Sequence, residues 1–417
     1  MSKSGKSKFF YGYIIVVATF VIMAVAVGGG NSFGVFFEPL LLEFGWTRAI
    51  TSGAFSAAAI LSGLFGLGAG KLSDMFGPKL VVTTTGLFLC LGYLLMSQVN
   101  TVWQLYVFYS IFLAIGARGH FAPLLSTIAR WFVKRRGAMT GIVMAGTGIG
   151  TVLMPLLGGW LIYSYGWRTS FIILGIVSLS LIITATQFLR RDPKNNGQIL
   201  YGELELEQQN LSLENRGLSL WEAIHTGQFW LLFLILLSGG FCVFTILAHI
   251  VIHAIGLGIP ATSAASILAF IGGLNSAGRL VMGGAADVIG GKRALIICLA
   301  LMMASVSWLL FATELWMLYI FGIVFGFAYG GVGVQTSPIT AEFFGLSSHG
   351  VIYGFITMGF TIGGSIGPVL IGHIFDITGS YQLGFIVLAI VSFIGLTMIL
   401  LLKPIRPGKN EEPSYSA

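Results

Sequence analysis

The second half of this chain repeats the first at an offset of 213 residues. Gly45, Gly70, Asp74, Gly77, Lys79, Gly137, Gly141, Gly146, Gly150, Pro155, Gly159 and Gly166 recur as Gly258, Gly283, Asp287, Gly290, Lys292, Gly350, Gly354, Gly359, Gly363, Pro368, Gly372 and Gly379. With 58 glycines in the chain some coincidence is expected, but a constant offset that also carries Asp74, Lys79 and Pro155 is not coincidence. A chain built twice from one plan folds with internal pseudo-symmetry. An even number of membrane passes per copy leaves the copies parallel, which suits two bundles rocking about a site between them.

Composition makes the passes membrane passes. Hydrophobic residues are 56% of the chain, charged ones 9%, and the mean hydropathy is +0.92, too apolar for a soluble surface of ordinary charge density. Apolar stretches long enough to cross a bilayer, about 20 residues each, lie at 12–38, 49–70, 79–98, 103–128, 138–164, 168–189, 229–254, 262–285, 293–312, 316–340, 350–375 and 381–402. The expected fold is an all-α membrane protein of twelve transmembrane helices in two six-helix bundles. The bundles occupy 1–190 and 228–403, with a cytoplasmic linker at 191–227 and a short cytoplasmic tail at 404–417. The linker holds Asp192-Pro193 and the acidic positions Glu203, Glu205 and Glu207, and reads as a tether. Leu218 to Trp230 reads as an amphipathic approach to the seventh helix, with Trp221 and Trp230 suited to the interface.

Cation placement sets the orientation. With both termini cytoplasmic, 18 of the 22 Lys and Arg fall inside, Arg48 and Arg168 fall outside, and Arg118 and Arg279 lie within helices. The net charge of +7 therefore reports topology and not nucleic-acid binding. Lys3, Lys6 and Lys8 resemble the start of a signal peptide, but the apolar run after them is too long and lacks a cleavage site, so it reads as an uncleaved first helix. Cys90, Cys242 and Cys298 have no paired spacing, so no disulfide framework and no metal site is implied. The expected place is a cell (inner) membrane, multi-pass, surrounded by lipid, with a monomer sufficient for function and no cofactor.

The repeated loops form a candidate gate. Gly70-x-x-x-Asp74-x-x-Gly77-Pro78-Lys79 and Gly283-x-x-x-Asp287-x-x-Gly290-Gly291-Lys292-Arg293 each put a carboxylate at the inner end of an even helix and cations in the turn after it. With Arg136, these groups can lock one half against the other through charge pairs and helix-end contacts, then release as the halves rock. The bland alternative is positive-inside charge beside a turn glycine. Two copies at one offset favour the gate.

This loop pattern, with the twelve expected passes, resembles the major facilitator superfamily over nearly the whole chain. A second resemblance is carried by Tyr11-Gly12-Tyr13-Ile14, Asn31-Ser32-Phe33-Gly34-Val35-Phe36-Phe37 and Trp131-Phe132-Val133-Lys134-Arg135-Arg136-Gly137-Ala138-Met139-Thr140-Gly141. These segments are similar to those of the monocarboxylate porter family and its bacterial oxalate/formate antiporter relatives. The resemblance implies transport of small carboxylates.

The intramembrane residues speak with one sign. No Asp or Glu lies deep in a span, whereas Arg118 and Arg279 are internal. A charge at the bilayer centre costs at least about 2.5 kcal/mol on insertion scales, so an arginine there is kept for a partner, and the partner expected is an anion. Arg279 lies eight residues before Asp287, about 12 Å from the loop and so near mid-membrane. Its repeat counterpart is Gly66, an asymmetry that favours binding of a substrate anion over a structural salt bridge. Asn275, one turn earlier on the same face, offers an amide beside the guanidinium. The fork of an arginine can bond both oxygens of a carboxylate.

The family resemblance makes this helix-8 arginine the substrate anchor. Many animal members have aspartate at the Asn275 position, so direct proton coupling through that residue is not implied here. Arg118 departs from the pattern: relatives have small residues there and a tyrosine two residues before the proline, where this chain has Phe121 before Pro123. Three readings of Arg118 stay open: a second carboxylate anchor, a partner of backbone carbonyls, or a feature of a subgroup. Oxalate antiporters use a lysine in helix 11, and the stretch Phe355-Ile356-Thr357-Met358 has no cation.

Proton coupling needs a group that titrates between about pH 5 and 8. The candidates are His249, His253 and His120, with His249 first because bacterial relatives resemble it in carrying a substrate-contacting histidine in this helix. Each can equally be a hydrogen-bonded packing residue. Tyr329 and Asn31 are further polar candidates. The sequence thus points to a secondary transporter of small monocarboxylates such as lactate or pyruvate, coupled to a proton. Dicarboxylate or oxalate/formate-type exchange, with Arg118 and Arg279 clamping two carboxylates, is the alternative. A membrane sensor would carry an output domain, and an enzyme would need a catalytic cluster that the internal polar residues do not supply.

Overall fold

The computed structural model describes residues 10–191 and 217–403, apart from the side chains at positions 31, 48, 49, 52, 55, 56, 59, 60, 63, 64, 67, 261, 262 and 265. Lys3, Lys6, Lys8, Asp192, Pro193, the acidic positions 203–207 and the tail from Pro404 lie outside the described residues. The described residues are all helical, with no strand, and ten helices are long and apolar enough to cross a membrane.

In chain order the helices are α1 (Gly12–Asn31), α2 (Phe33–Phe44), α3 (Arg48–Phe76), α4 (Pro78–Met96), α5 (Val102–Val107), a π-helical turn (Phe108–Leu113), α6 (Ala114–Arg118), α7 (Phe121–Trp131) and α8 (Arg136–Thr186). From residue 217 onward come α9 (Leu220–Ile224), which lies inside the expected linker, α10 (Gly227–Gly256), α11 (Ala261–Ile289), α12 (Gly291–Trp308), α13 (Leu315–Phe344), α14 (His349–Thr378) and α15 (Gln382–Leu401). The 51-residue α8 is broken at Gly166, whose φ of 76° and ψ of 161° are not helical, so it contains two runs. At 29 to 30 residues, α3, α10, α11, α13 and α14 are about 45 Å long. That exceeds the roughly 30 Å apolar core. The sequence places the span ends several residues too early because hydropathy falls at the interface while helical hydrogen bonds continue past it.

The repeat is visible in the geometry. Adding 213 to the bounds of α3 gives those of α11, and adding it to the first residue of α8 gives the first of α14. Glycines with left-handed φ recur in pairs: Gly45 and Gly258 at 65° and 86°, Gly77 and Gly290 at 86° and 89°, Gly166 and Gly379 at 76° and 66°. A side chain strains that backbone region, which is why glycine marks these turns. The two copies meet along two crossings, α3 against α14 and α8 against α11, which the repeat exchanges. At each, glycine faces glycine. A Cβ on Gly70 would strike the Gly350 carbonyl, and one on Gly137 would strike the Gly283 carbonyl, so only hydrogen lets the backbones approach this closely.

Ahead of α10 a capping box built by Ser219 and Glu222 starts α9, and the Trp230 indole donates to the Ile224 carbonyl at 2.8 Å. The chain therefore enters the second half through a short, fixed elbow.

Candidate functional site

A cavity of about 200 Å³ lies between the two halves. Ser62, Gly66, Arg118, Phe121, Ala122 and Met144 line it from the first half; Arg279, Tyr329, Tyr353 and Phe360 are among those that line it from the second. Four expected site residues, Arg118, Phe121, Arg279 and Tyr329, thus share one space. Its lining holds two guanidiniums and no acidic side chain, lysine or histidine.

Arg279 projects from α11 toward α8. Its Nη1 donates to the Met144 carbonyl at 2.7 Å and to the Thr147 hydroxyl, while its buried Nε has no partner. Arg118, at the end of α6, opens into the cavity without a hydrogen bond or ion pair among the described residues, and its guanidinium carbon is 5.9 Å from the centre of the Phe121 ring. Tyr329 lines the same cavity as both arginines. A desolvated pair of cations attracts whatever anion can reach it.

The other expected contacts are placed differently. Asn275 is buried against α13, outside the cavity lining, and its Nδ2 has no partner. None of the three histidines lines the cavity. His249 is used twice on its own side, by the Tyr381 hydroxyl at 3.1 Å from Nδ1 and by the Pro368 carbonyl at 3.0 Å from Nε2. Because the Pro368 carbonyl can only accept, Nε2 carries the proton and Nδ1 accepts from Tyr381 when the ring is neutral. His253 packs edge-on against Phe385, ring centres 4.8 Å apart, with Nε2 unpartnered. His120 is buried at the junction of α6 and α7, its Nδ1 3.4 Å from the Gly116 carbonyl. Asn31 ends α1, and its side chain is outside those described. The sequence reading missed Met144, Thr147, Tyr353 and Phe360. An uncharged residue in an apolar run carries no signal until the other half is laid against it.

At the Asp74 and Asp287 end the halves are bonded directly. Asp287 accepts from the amides of Gly137 at 2.7 Å and Ala138 at 2.8 Å, the first turn of α8. Asp74 accepts from the Val351 amide at 3.0 Å in the first turn of α14 and pairs with Arg130 at 3.3 Å. Each carboxylate of one half caps the helix N-terminus of the other, where amides lack intrahelical partners and the dipole is positive.

The cations expected in these locks are elsewhere. Lys79 and Arg293 are exposed without a partner among the described residues, and Lys292 donates to the Leu402 carbonyl at 2.6 Å. Arg136 donates to the Phe132 and Ala129 carbonyls, both at 3.0 Å, closing the end of α7. The hydrogen bonds that the two carboxylates accept across the interface come from backbone amides of helix N-termini, with Arg130 beside Asp74. The halves are thus tied across their interface by these caps and by the two hydrogen bonds from Arg279. At the opposite end, Glu43 pairs with Arg168 and accepts from the Trp167 indole at 2.6 Å, all within the first half.

Comparison with known proteins adds the family context. The family profile described as Major Facilitator Superfamily matches residues 19–287 and 273–416. Monocarboxylate transporter 13 of Rattus norvegicus is 27% identical over 393 residues, 90% of this chain and 85% of that protein. The uncharacterized MFS-type transporter YhjX of Escherichia coli (strain K12) is 26% identical over 337 residues, 76% of this chain and 81% of that protein. Among solved structures, the E. coli fucose:proton symporter FucP superposes with a TM-score of 0.72 at 14% identity, over 95% of this chain and all of that one.

Proposed function

From the premise that the chain belongs to the Major Facilitator Superfamily, a family of multi-pass membrane transporters and not of enzymes, we propose that it carries small carboxylate anions by alternating access, with Arg279 as the anchor. The observation that carries this is the Arg279 guanidinium, with an unpartnered Nε, beside a cavity between the halves whose lining has no counter-charge. We assign it twelve passes, counting α1 with α2 as one, α5 to α7 as one and α8 as two. The units are 1–190, the linker 191–227, 228–403 and the tail 404–417, with both termini cytoplasmic in a cell (inner) membrane and a monomer as the working form. On this topology the bonded Asp74 and Asp287 end faces the cytoplasm, so the cavity is closed on that side.

The first reading of the substrate is a monocarboxylate of the lactate or pyruvate type, entering with a proton. The relatives' names support it. The carboxylate bonds to Arg279 beside Tyr329, both of which line the cavity. His249 is the proposed proton carrier: once Nδ1 is protonated it no longer accepts from Tyr381, and the hydroxyl must turn. That rearranges the contact of α10 with the turn between α14 and α15, next to the helix that brings Tyr353 and Phe360 to the cavity.

A second reading is dicarboxylate or oxalate/formate-type exchange, favoured by the placement of Arg118 in the same cavity with no protein counter-charge. Two guanidiniums neutralise a dianion without a proton. Proteoliposomes loaded with unlabelled L-lactate or oxalate separate the readings. Net uptake of labelled L-lactate that responds to an imposed proton gradient supports the first, whereas oxalate counterflow that ignores the gradient supports the second. Transport of neither would overturn the assignment of substrate class.

A further inference from the structure

We infer that Thr147 is a positioning residue for the anion anchor. Its hydroxyl, together with the Met144 carbonyl, fixes one end of the Arg279 guanidinium so that the opposite edge faces the cavity, and it does so only while the Asp74 and Asp287 end is closed. The inference rests on Arg279 being the substrate anchor.

The hydrogen bonds define the arrangement. Thr147 is 4% exposed on α8 and donates its own proton to the Met144 carbonyl at 2.7 Å, leaving its lone pairs for the Arg279 Nη1 that reaches it from α11. Nη1 also reaches the Met144 carbonyl directly, so hydroxyl and carbonyl form one seat. A guanidinium is a rigid planar fork, and seating Nη1 fixes the plane and the direction of every other N–H. The edge formed by Nε and Nη2, which can bond both oxygens of a carboxylate, is left to the substrate, and Nε is buried without a partner. Without the seat, a long side chain of high rotamer freedom would have to be ordered by the substrate itself.

The position along the crossing makes the seat conditional. Gly137, Gly141, Met144 and Thr147 follow one face of α8, and Asp287, Gly283 and Arg279 follow the facing side of α11. Opening at the Asp287 end separates these faces, and the seat is lost with the cap. At the symmetry-related crossing of α3 and α14, the positions of Arg279 and Thr147 are held by Gly66 and Phe360, which line the cavity but have no side-chain donor or acceptor. The repeat therefore has no counterpart of the Arg279–Thr147 bond at these two positions. A tie needed merely to hold the halves together would serve both crossings.

The test is sided transport of L-lactate, with oxalate as the probe if wild type does not carry L-lactate, in right-side-out and inverted vesicles. Thr147→Val keeps the shape and removes the hydroxyl; Thr147→Ser keeps the hydroxyl. Loss of a hydrogen bond to a charged group predicts a KM raised about tenfold from the outer face for Thr147→Val, under twofold from the cytoplasmic face, and near wild type on both faces for Thr147→Ser. Equal changes on the two faces, or none, would overturn the inference, as would a Thr147→Ser variant as impaired as Thr147→Val. If Thr147→Val does not assemble in the membrane, Thr147→Ala is measured against the same expectations. Arg279→Ala runs in parallel: wild-type kinetics there would remove the anchor, whereas a dead Arg279→Ala beside an unaffected Thr147→Val would remove only the positioning role.

Discussion

At the residue scale, Arg118 and Arg279 bring two cations to a cavity lining without an acidic side chain. Truncating one partner of a buried, hydrogen-bonded ion pair costs about 2–5 kcal/mol, so Arg279→Ala is expected to lower carboxylate transport at least thirtyfold. Arg279→Lys should recover only part of it, because an ammonium lacks the planar fork. Arg118→Ala separates the two substrate readings. It should leave L-lactate uptake within a few-fold of wild type if the substrate is a monocarboxylate, and abolish oxalate exchange if the two arginines clamp a dianion. For His249→Gln, the expected result is uptake that no longer rises as external pH falls, read as initial rates across pH 5 to 8; an unchanged pH profile would move proton coupling to another group. These arginines were legible in the sequence because a cation in an apolar run has few explanations. The Thr147 seat was not, since threonine is unremarkable in a membrane helix and its partner comes from a residue 132 positions away. Where the histidines look was not legible: each lies in an apolar span, and His249 and His253 look toward Tyr381 and Phe385 and not toward the cavity.

At the scale of elements, two helix crossings hold the Asp74 and Asp287 end shut, and both depend on absent side chains and borrowed dipoles. Asp287→Asn keeps one acceptor and loses the charge. By the worth of an N-terminal cap, about 1 kcal/mol, it should shift the population toward the open state roughly fivefold. Spin labels at Lys79→Cys and Arg293→Cys, exposed positions in opposite halves at this end, would read the shift as a longer mean distance. Gly283→Val should have a larger effect of the same sign, since its Cβ meets the backbone of Gly137 and Gly141. An unchanged distance distribution in Gly283→Val would mean that the crossing is not what keeps the end closed. Gly70, Gly137, Gly283 and Gly350 could be singled out from the repeat because a close approach needed twice leaves glycine twice. The amide partners of Asp74 and Asp287 could not be read from the sequence, because it shows charged side chains and hides the partial charges of helix ends.

At the scale of the whole molecule, the duplicated chain makes two surfaces that can meet at either end, and a site between them that neither half completes alone. Arg118 and Phe121 come from one copy, Arg279 and Tyr329 from the other. Departures from the repeat, Arg279 against Gly66 and Thr147 against Phe360, are where the proposed binding site breaks the symmetry of the scaffold. The most direct test of this account is initial uptake of radiolabelled L-lactate into proteoliposomes under an inward proton gradient, for wild type and Arg279→Ala side by side. Gradient-driven uptake in wild type that is lost in Arg279→Ala is the predicted result, and uptake that persists in Arg279→Ala would contradict it.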